Sequence, residues 1–427
     1  MPEIRDPIHG FIHLSKDEEK IIDTPEFQRL RRIRQLATTY LVYPAAEHTR
    51  FSHSLGVMHI ASLIFDKIYE KNKAILRWNE DEKAKYRQML RLASLLHDIA
   101  HAPFSHAAEE LFDEEVKDHE GMAGKIITES NITPIINKIG KQHGFDASSI
   151  AALITGNAFG KYERLITSIF VSELDADNMD YLLRDSLYTG VKYWYYDLDR
   201  VLNVMTLCFD EGDWKIAIED DGIEAIEGLI LARYFMFTQV YWHRTRRIYD
   251  KILLEFLKEI LKEETKASKF PSDVEEFIQW DDYTIINKAK ESQSPWANRL
   301  LNRIHMKYVF EHEPEKTPEE RQLQREYELI IKEELEERYT PYEVIVDREQ
   351  KVPIKFELSD DGPPTIIIVN KNDSNKIYPF KDRAPIVAKL EEPIYVFRVY
   401  ADNDIEEEVT NYIRTRYKVL KSEQKNI

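Results

Sequence analysis

The feature that most constrains this chain is an apolar run at helical spacing that ends in a His-Asp pair. Over residues 81–97 apolar residues recur on one helical face, and Leu92, Leu95 and Leu96 lead directly into His97-Asp98. The same periodicity over 28–36 (Leu30, Ile33, Leu36), 56–69, 105–112, 165–187 and 224–261 makes residues 1–310 a helix-dominated core, with Pro103 marking a break. Near 311 the composition changes. Residues 311–338 are dense in Glu, Lys, Arg and Gln, and predict a solvated charged helix connecting across 311–340. Beyond it, 342–346, 365–369 and 393–400 are rich in Val, Ile and Tyr and predict strands, and 404–420 predicts a closing helix. The expected fold is mainly α: a helical core, the connector, and a smaller C-terminal α+β lobe over 341–427.

With 427 residues, 43% apolar and 32% charged, the chain can bury one large core or several. Its 13 Gly and 17 Pro exclude a collagen-like or broadly disordered chain. No apolar run reaches the ~18 residues of a membrane span, and the start of the chain carries no secretion-signal pattern. A single cysteine, Cys208, excludes an intrachain disulfide and a multi-thiolate metal site. The expected location is the cytoplasm. A net charge of −18 argues against non-specific coating of nucleic acid, leaving it at most a secondary partner. A local arginine cluster still suits a small anionic substrate.

The histidines are unevenly spread: of 13, nine precede residue 120. They fall in Arg50-Phe51-Ser52-His53, His97-Asp98-Ile99-Ala100-His101, Pro103-Phe104-Ser105-His106 and Asp118-His119-Glu120, and Glu173-Leu174-Asp175-Ala176-Asp177 supplies acids later. Imidazole nitrogen together with carboxylate oxygen suits Zn, Fe, Mn, Ni or Co. His97 and Asp98 point about 100° apart on a helix, yet both reach an ion beside it if His53 and Asp177 approach from flanking helices. Two histidines and two carboxylates leave positions for water and substrate. A His-Asp dipeptide alone reads equally as a helix-terminal histidine beside an exposed acid.

The wider motifs decide between these readings. The pattern His53, His97-Asp98, Asp177 resembles the HD-domain phosphohydrolases. Asp6-Pro7-Ile8-His9-Gly10, Asp23 to Arg31, Gln35-Leu36, His48 to Gly56, His97 to His106 and Asp177 to Asp185 resemble deoxynucleoside triphosphate triphosphohydrolases. The similarity covers roughly residues 4–250 and is nearest to the SAM-and-HD-domain branch, with no SAM domain ahead of the core here. The resemblance implies His53, His97, Asp98 and Asp177 as ligands of a divalent metal (Mg joining the candidates above), and a second Mg with the triphosphate. It implies Arg50 on phosphate, and His101, His106 and His119 around the phosphates. His106 is the implied general acid, paired with Glu109 three residues on. Tyr181 and Asp185 match deoxyribose contacts, with the acid on the 3′-OH, and Gln35 and Leu36 match residues near sugar and base. Arg233, Tyr241 and His243 fall on the following helix; Arg233 matches a phosphate arginine, and Tyr241 a tyrosine closing the space of a ribose 2′-OH. Asn178 stands where some members carry a phosphate-binding lysine. The implied reaction takes a dNTP to a deoxynucleoside and inorganic triphosphate, by in-line attack of water on the α-phosphate.

Asp23, Gln28 and Arg31 match positions that read the guanine of GTP or dGTP at an activator site between subunits, which implies a homo-oligomer, dimer or tetramer. The same residues also read as a helix start capped by Asp23, with Pro25 in the first turn and solvated arginines over 29–34. Arg200 matches a second activator position, where Glu219, Asp220 and Asp221 replace cations; partial or single-nucleotide activation is expected. The alternatives are another HD-type nucleotidase or phosphodiesterase, or a nucleotide-sensing or nucleic-acid-binding module.

Overall fold

The computed structural model describes residues 2–424 except 159, 194–195, 211, 266–267, 312–317, 353, 356–364 and 392. Three helices position the centre of the molecule: Arg50–Leu76, Glu80–Leu96 and Ala176–Thr189. The first packs against both of the others. Each has a local reason to start or stop. Asn79 and Glu82 form a capping box that opens the second helix. Asp175 caps the third by accepting from the Asn178 N–H. Gly190, at φ 75°, ends it in the left-handed region that glycine tolerates. The first and third approach very closely at Gly56, where a Cβ would lie 1.9 Å from Asp180 Oδ1. The N-terminal turn of one helix, the C-terminus of the next and the N-terminus of the third therefore converge, carrying His53, His97 and Asp177 to one place.

Several sequence expectations are corrected. Residues 28–36 do not form one helix: Pro25–Gln28 is α-helical, Arg29–Arg32 is a 3-10 turn, and Arg34 bridges to Thr49. The span 165–187 divides into Lys161–Ser168 and Ala176–Thr189, because Asp175 starts a new helix after the loop 169–175. The span 224–261 divides into Ile223–Met236, a π-helical turn Phe237–Tyr241, and Arg244–Glu264, which His243 caps with its own ring nitrogen. The core also contains strands: Met205–Asp210 and Asp213–Glu219 form a hairpin with Gly212 at φ 88°.

The later strands serve two sheets. Ile367–Asn370 runs parallel to Asp213–Glu219 and pairs with Asp373–Pro379, so this hairpin extends the core sheet. Lys307–Glu311, Ile394–Ala401 and Val344–Lys351 form a three-stranded antiparallel sheet with Ile394–Ala401 in the middle. Against it pack Pro318–Arg338 and Glu406–Gln424, around a second apolar cluster. The charged connector is therefore not solvated on every side. Tyr327, Ile331 and Leu335, spaced by four, bury one face of its helix; its residues 312–317 lie outside the described residues. Among the described residues no helix is long and apolar enough to cross a membrane.

Candidate active site

His53, Asp177, His97 and Asp98 form one cluster. His53 Nε2 lies 2.9 Å from Asp177 Oδ1 and 3.5 Å from Asp98 Oδ2; His97 Nε2 lies 3.3 Å from Asp98 Oδ1 and 3.9 Å from Asp177 Oδ1. Donors held at about 2.1 Å around a single ion stand about 3.0–4.2 Å apart, so this spacing fits one ion. His53 Nε2 and His97 Nε2 are buried and have no partner in hydrogen-bonding direction. Their other nitrogens are committed: His97 Nδ1 donates to the Ser94 carbonyl at 2.8 Å, and His53 Nδ1 bonds Asp180 Oδ2 at 2.8 Å. Each ring is thereby turned with Nε2 toward the carboxylates. Burial alone would lower the pKa of His53, but Asp177 and Asp180 on its two nitrogens push it up to about 10. His53, His97 and Asp98 can hold a metal ion, and Asp177 Oδ1 lies 2.9 Å from His53 Nε2 beside them.

Asp180 and His9 were not singled out as site residues from the sequence, although both lie in quoted motifs. Asp180 is fully buried and accepts from His9, His53 and Arg184, and Arg184 reaches on to Asp6. The period of four between Asp180 and Arg184 was the available signal.

A cleft of about 190 Å³ opens beside the cluster, with Gln35, Arg50, His101, His106, His119 and Tyr181 in its wall. Arg50 is buried, donates to Ser105 Oγ at 2.9 Å and pairs with Asp98. Burial would raise the Asp98 carboxyl, but Arg50, with His97 and His101, holds it well below the usual range. His101 Nε2 is 3.1 Å from Asp98 Oδ1, and its ring stacks on His119 at 4.3 Å. Glu109 does not belong chiefly to His106. Residues 105–111 form a 3-10 turn, leaving His106 Nδ1 3.5 Å from Glu109 Oε2, while His119 Nδ1 bonds Glu109 Oε1 at 2.5 Å. Burial works against charge at both partners, but this bond raises His119 and, with His106, holds Glu109 well down. The His106 ring remains two-thirds exposed in the cleft. Glu120, also in the wall, was not anticipated.

Asp185, one turn beyond Tyr181, accepts from the Tyr241 hydroxyl at 2.6 Å on one oxygen and meets His48 Nε2 at 2.8 Å on the other. Tyr181 donates to Asn178 Oδ1 at 2.5 Å and meets the Tyr241 ring edge-on. Leu36 is buried, next to Gln35 in sequence, and does not line the cleft. Arg233 pairs with Glu173 at 2.9 Å and keeps a buried Nε without a partner.

The arginines over 29–34 are not all solvated. Arg29 is wholly buried, donating to the carbonyls of Trp280 and His101; Arg32 pairs with Asp281, and Arg34 with Glu47. Only Arg31 stays exposed, over the Phe51 ring and bonded to Gln28 Oε1 at 2.9 Å. Asp23 is exposed and does not cap: Thr24 does, with Pro25 following. The acids at 219–221 are not a bare repulsive patch either. Lys71 pairs with Glu219, and Lys371 and Arg200 pair with Asp221.

The HD domain family matches residues 50–184, and the HD associated region matches residues 196–426. The chain is 38% identical over 255 residues to the uncharacterized protein YwfO of Bacillus subtilis, covering 59% of this chain and 54% of that one. It is 30% identical over 284 residues to a human protein named deoxynucleoside triphosphate triphosphohydrolase SAMHD1, covering 60% of this chain and 44% of that one. The chain thus spans about half the length of these relatives. A crystal structure of a hypothetical protein from Aquifex aeolicus superposes with a TM-score of 0.78 at 29% identity, over 96% of this chain and 99% of that one. The four clustered His and Asp residues all lie within the first of these matches, the second covers more than half of the chain, and together the two matches make this chain a member of the HD-domain family.

Proposed function

We propose that the chain hydrolyses deoxynucleoside triphosphates to deoxynucleoside and inorganic triphosphate. The observation that carries this reading is one cleft that joins the unpartnered, buried His97 Nε2 and the carboxylates of Asp98 and Asp177 to Arg50, three further histidines, Gln35 and Tyr181, with His53 buried directly behind the carboxylates. The name carried by the human relative supports the substrate class. In this reading His53, His97, Asp98 and Asp177 hold a divalent metal. When bound, the ion polarises a phosphoryl oxygen and makes water a better nucleophile. Arg50, His101 and protonated His119 hold phosphate charge, with Arg233 at the edge of the site. His106, exposed in the cleft, donates its proton to the departing 5′-oxygen as the P–O bond breaks. Tyr241 stands beside the sugar and excludes a 2′-hydroxyl, so dNTPs are preferred over NTPs. A second Mg travels with the triphosphate.

The test is a panel of all dNTPs and NTPs with the products identified. Inorganic triphosphate together with deoxynucleoside is expected. Orthophosphate or pyrophosphate as the first product would assign the chain to another nucleotidase or phosphodiesterase reaction. Activation by GTP or dGTP at Asp23, Gln28 and Arg31, between subunits of a cytoplasmic homo-oligomer, belongs to the same proposal. The exposure of Asp23 and Arg31 supports it, and the cations around Glu219 and Asp221 weaken the argument against a second nucleotide. Rates on one dNTP with and without GTP, in the wild type and Asp23→Ala, test it. Equal rates in all four would reduce these residues to the start of a helix.

A further inference from the structure

We propose that His48 is a positioning residue for recognition of the sugar 3′-hydroxyl, acting through Asp185 with its side chain and through Gln35 with its backbone. The inference rests on the dNTP reading above and names a residue that reading leaves without a role.

His48 lies two residues before the Arg50–Leu76 helix, and its side chain is 1% exposed. Its Nε2 is 2.8 Å from Asp185 Oδ1. Its Nδ1 is buried with no partner. A neutral imidazole carries one proton, and only the Nε2 side offers an acceptor, so the N–H points at Asp185. The ring cannot swing away easily: it stacks on Tyr188 at 4.5 Å and 16°, and Tyr188 stands three residues after Asp185 on the same helix. The carbonyl of His48 accepts the Gln35 N–H at 3.0 Å. Gln35 lines the cleft and carries a buried Oε1 without a partner. One residue thus holds a carboxylate with its ring and the backbone of a cleft residue with its carbonyl.

A hydroxyl both donates and accepts. Asp185 supplies the acceptor for its proton. The Tyr241 hydroxyl, 2.6 Å from Asp185 Oδ2, occupies the second oxygen. An incoming hydroxyl shares or replaces that contact, while His48 keeps Oδ1 and the carboxylate plane in place. A hydrogen bond to a charged group contributes about 1.5–3 kcal/mol, which corresponds to roughly 10–100-fold in discrimination.

The experiment compares kcat/KM for a dNTP and its 2′,3′-dideoxy counterpart in the wild type, His48→Phe, His48→Asn and His48→Gln, with metal content measured for each. The wild type is expected to prefer the dNTP by roughly 10–100-fold. His48→Phe keeps the stack and loses the donor; His48→Asn keeps polarity but falls short of Asp185. Both should bring the ratio to within about threefold of unity by lowering dNTP turnover alone, at unchanged metal content. His48→Gln, whose amide reaches as far as Nε2, should recover much of the preference. Either donor-less variant suffices if the other does not fold. A wild type that cleaves dNTPs without preference over dideoxynucleotides overturns this inference alone. So does a donor-less variant that keeps the wild-type ratio or lowers both substrates equally. A wild type that cleaves no dNTP overturns the parent reading with it.

Discussion

His53 Nδ1 and His9 Nε2 meet the two oxygens of one carboxylate, Asp180, at 2.8 and 2.6 Å, and Arg184 bridges both oxygens from the next turn of the helix. Asp180 therefore does not face the ion site, but it decides which way a facing ring points. The contact also runs outward, because His9 lies in the turn between the paired strands Glu3–Asp6 and Gly10–His13, a hairpin that Asp6 ties to Arg184.

Asp180→Asn keeps the shape of this junction and removes its charge. Outer partners of this kind typically change metal affinity by about 10–100-fold. Competition against a chelator should register a loss of that size, with helical circular dichroism retained. Wild-type affinity in the variant would show that packing alone orients His53.

Gly56 makes the junction available. A Cβ there would meet Asp180 Oδ1 at 1.9 Å and the Arg184 guanidinium at 2.6 Å, both held in a buried network. Gly56→Ala should lower stability by about 1–3 kcal/mol through overpacking, and lower metal content with it. Gly228, on Ile223–Met236, is the control: its nearest neighbour would be Tyr196 Cβ at 3.8 Å. Gly228→Ala should be neutral or stabilising by up to ~1 kcal/mol. Thermal unfolding of the two variants side by side tests the contrast.

Much of this centre was legible because its residues sit in short strings with fixed neighbours. Periodicity marks the helix end at His97-Asp98, whereas the helix starts at Arg50 and Ala176 that carry His53 and Asp177 are visible only in the structure. What stayed hidden depends on groups remote in sequence. Arg29 looks solvated in an arginine-rich string, and only the carbonyls of Trp280 and His101 reveal it as a buried tie. Glu109 pairs by spacing with His106, yet a 3-10 turn and the arrival of His119 give it a closer partner. The hairpin 205–219 was lost in helix-rich surroundings, although Trp214, Ile216 and Ile218 alternate. The helix 318–338 was read by its charge, while a sparse stripe of four-residue spacing carried the packing.

The His119–Glu109 bond predicts a pH window. Glu109, ordinarily near 4.5, is held low, so its contribution to stability is present above that value and lost as pH falls toward its folded pKa. His119, ordinarily near 6.5, is raised, so its contribution is complete below that value and lost as pH rises through its folded pKa. The stability difference between wild type and Glu109→Gln should be greatest between about pH 4.5 and 6.5, and shrink on the alkaline side. The alkaline limb of the kcat profile should move to lower pH in the variant, because His119 loses the carboxylate that keeps it charged. A difference in Tm that is flat with pH would mean that the bond is neutral.

The three-stranded sheet reaches the site through the break after Tyr241. Arg398 donates to the Trp242 carbonyl at 2.6 Å, and the Tyr400 hydroxyl to the Arg244 carbonyl at 2.9 Å. Arg247, in the first turn after the break, bonds Asp347 Oδ2 at 2.9 Å and reaches Glu349 at 2.6 Å. Asp347 is fully buried; burial would raise its carboxyl, but Arg247 holds it below the usual range. Removing one member of a buried pair costs about 3–5 kcal/mol, whereas replacing both by apolar groups is often neutral. Asp347→Ala should therefore lower Tm strongly, and Arg247→Met with Asp347→Leu should recover most of it. If the sheet braces the π-helical turn, amide exchange over 237–243 should quicken in Asp347→Ala beyond the change in the helix 50–76, and KM for a dNTP should rise more than kcat falls. Equal quickening in both segments would mean that the pair stabilises the whole fold and does not hold Tyr241 in particular.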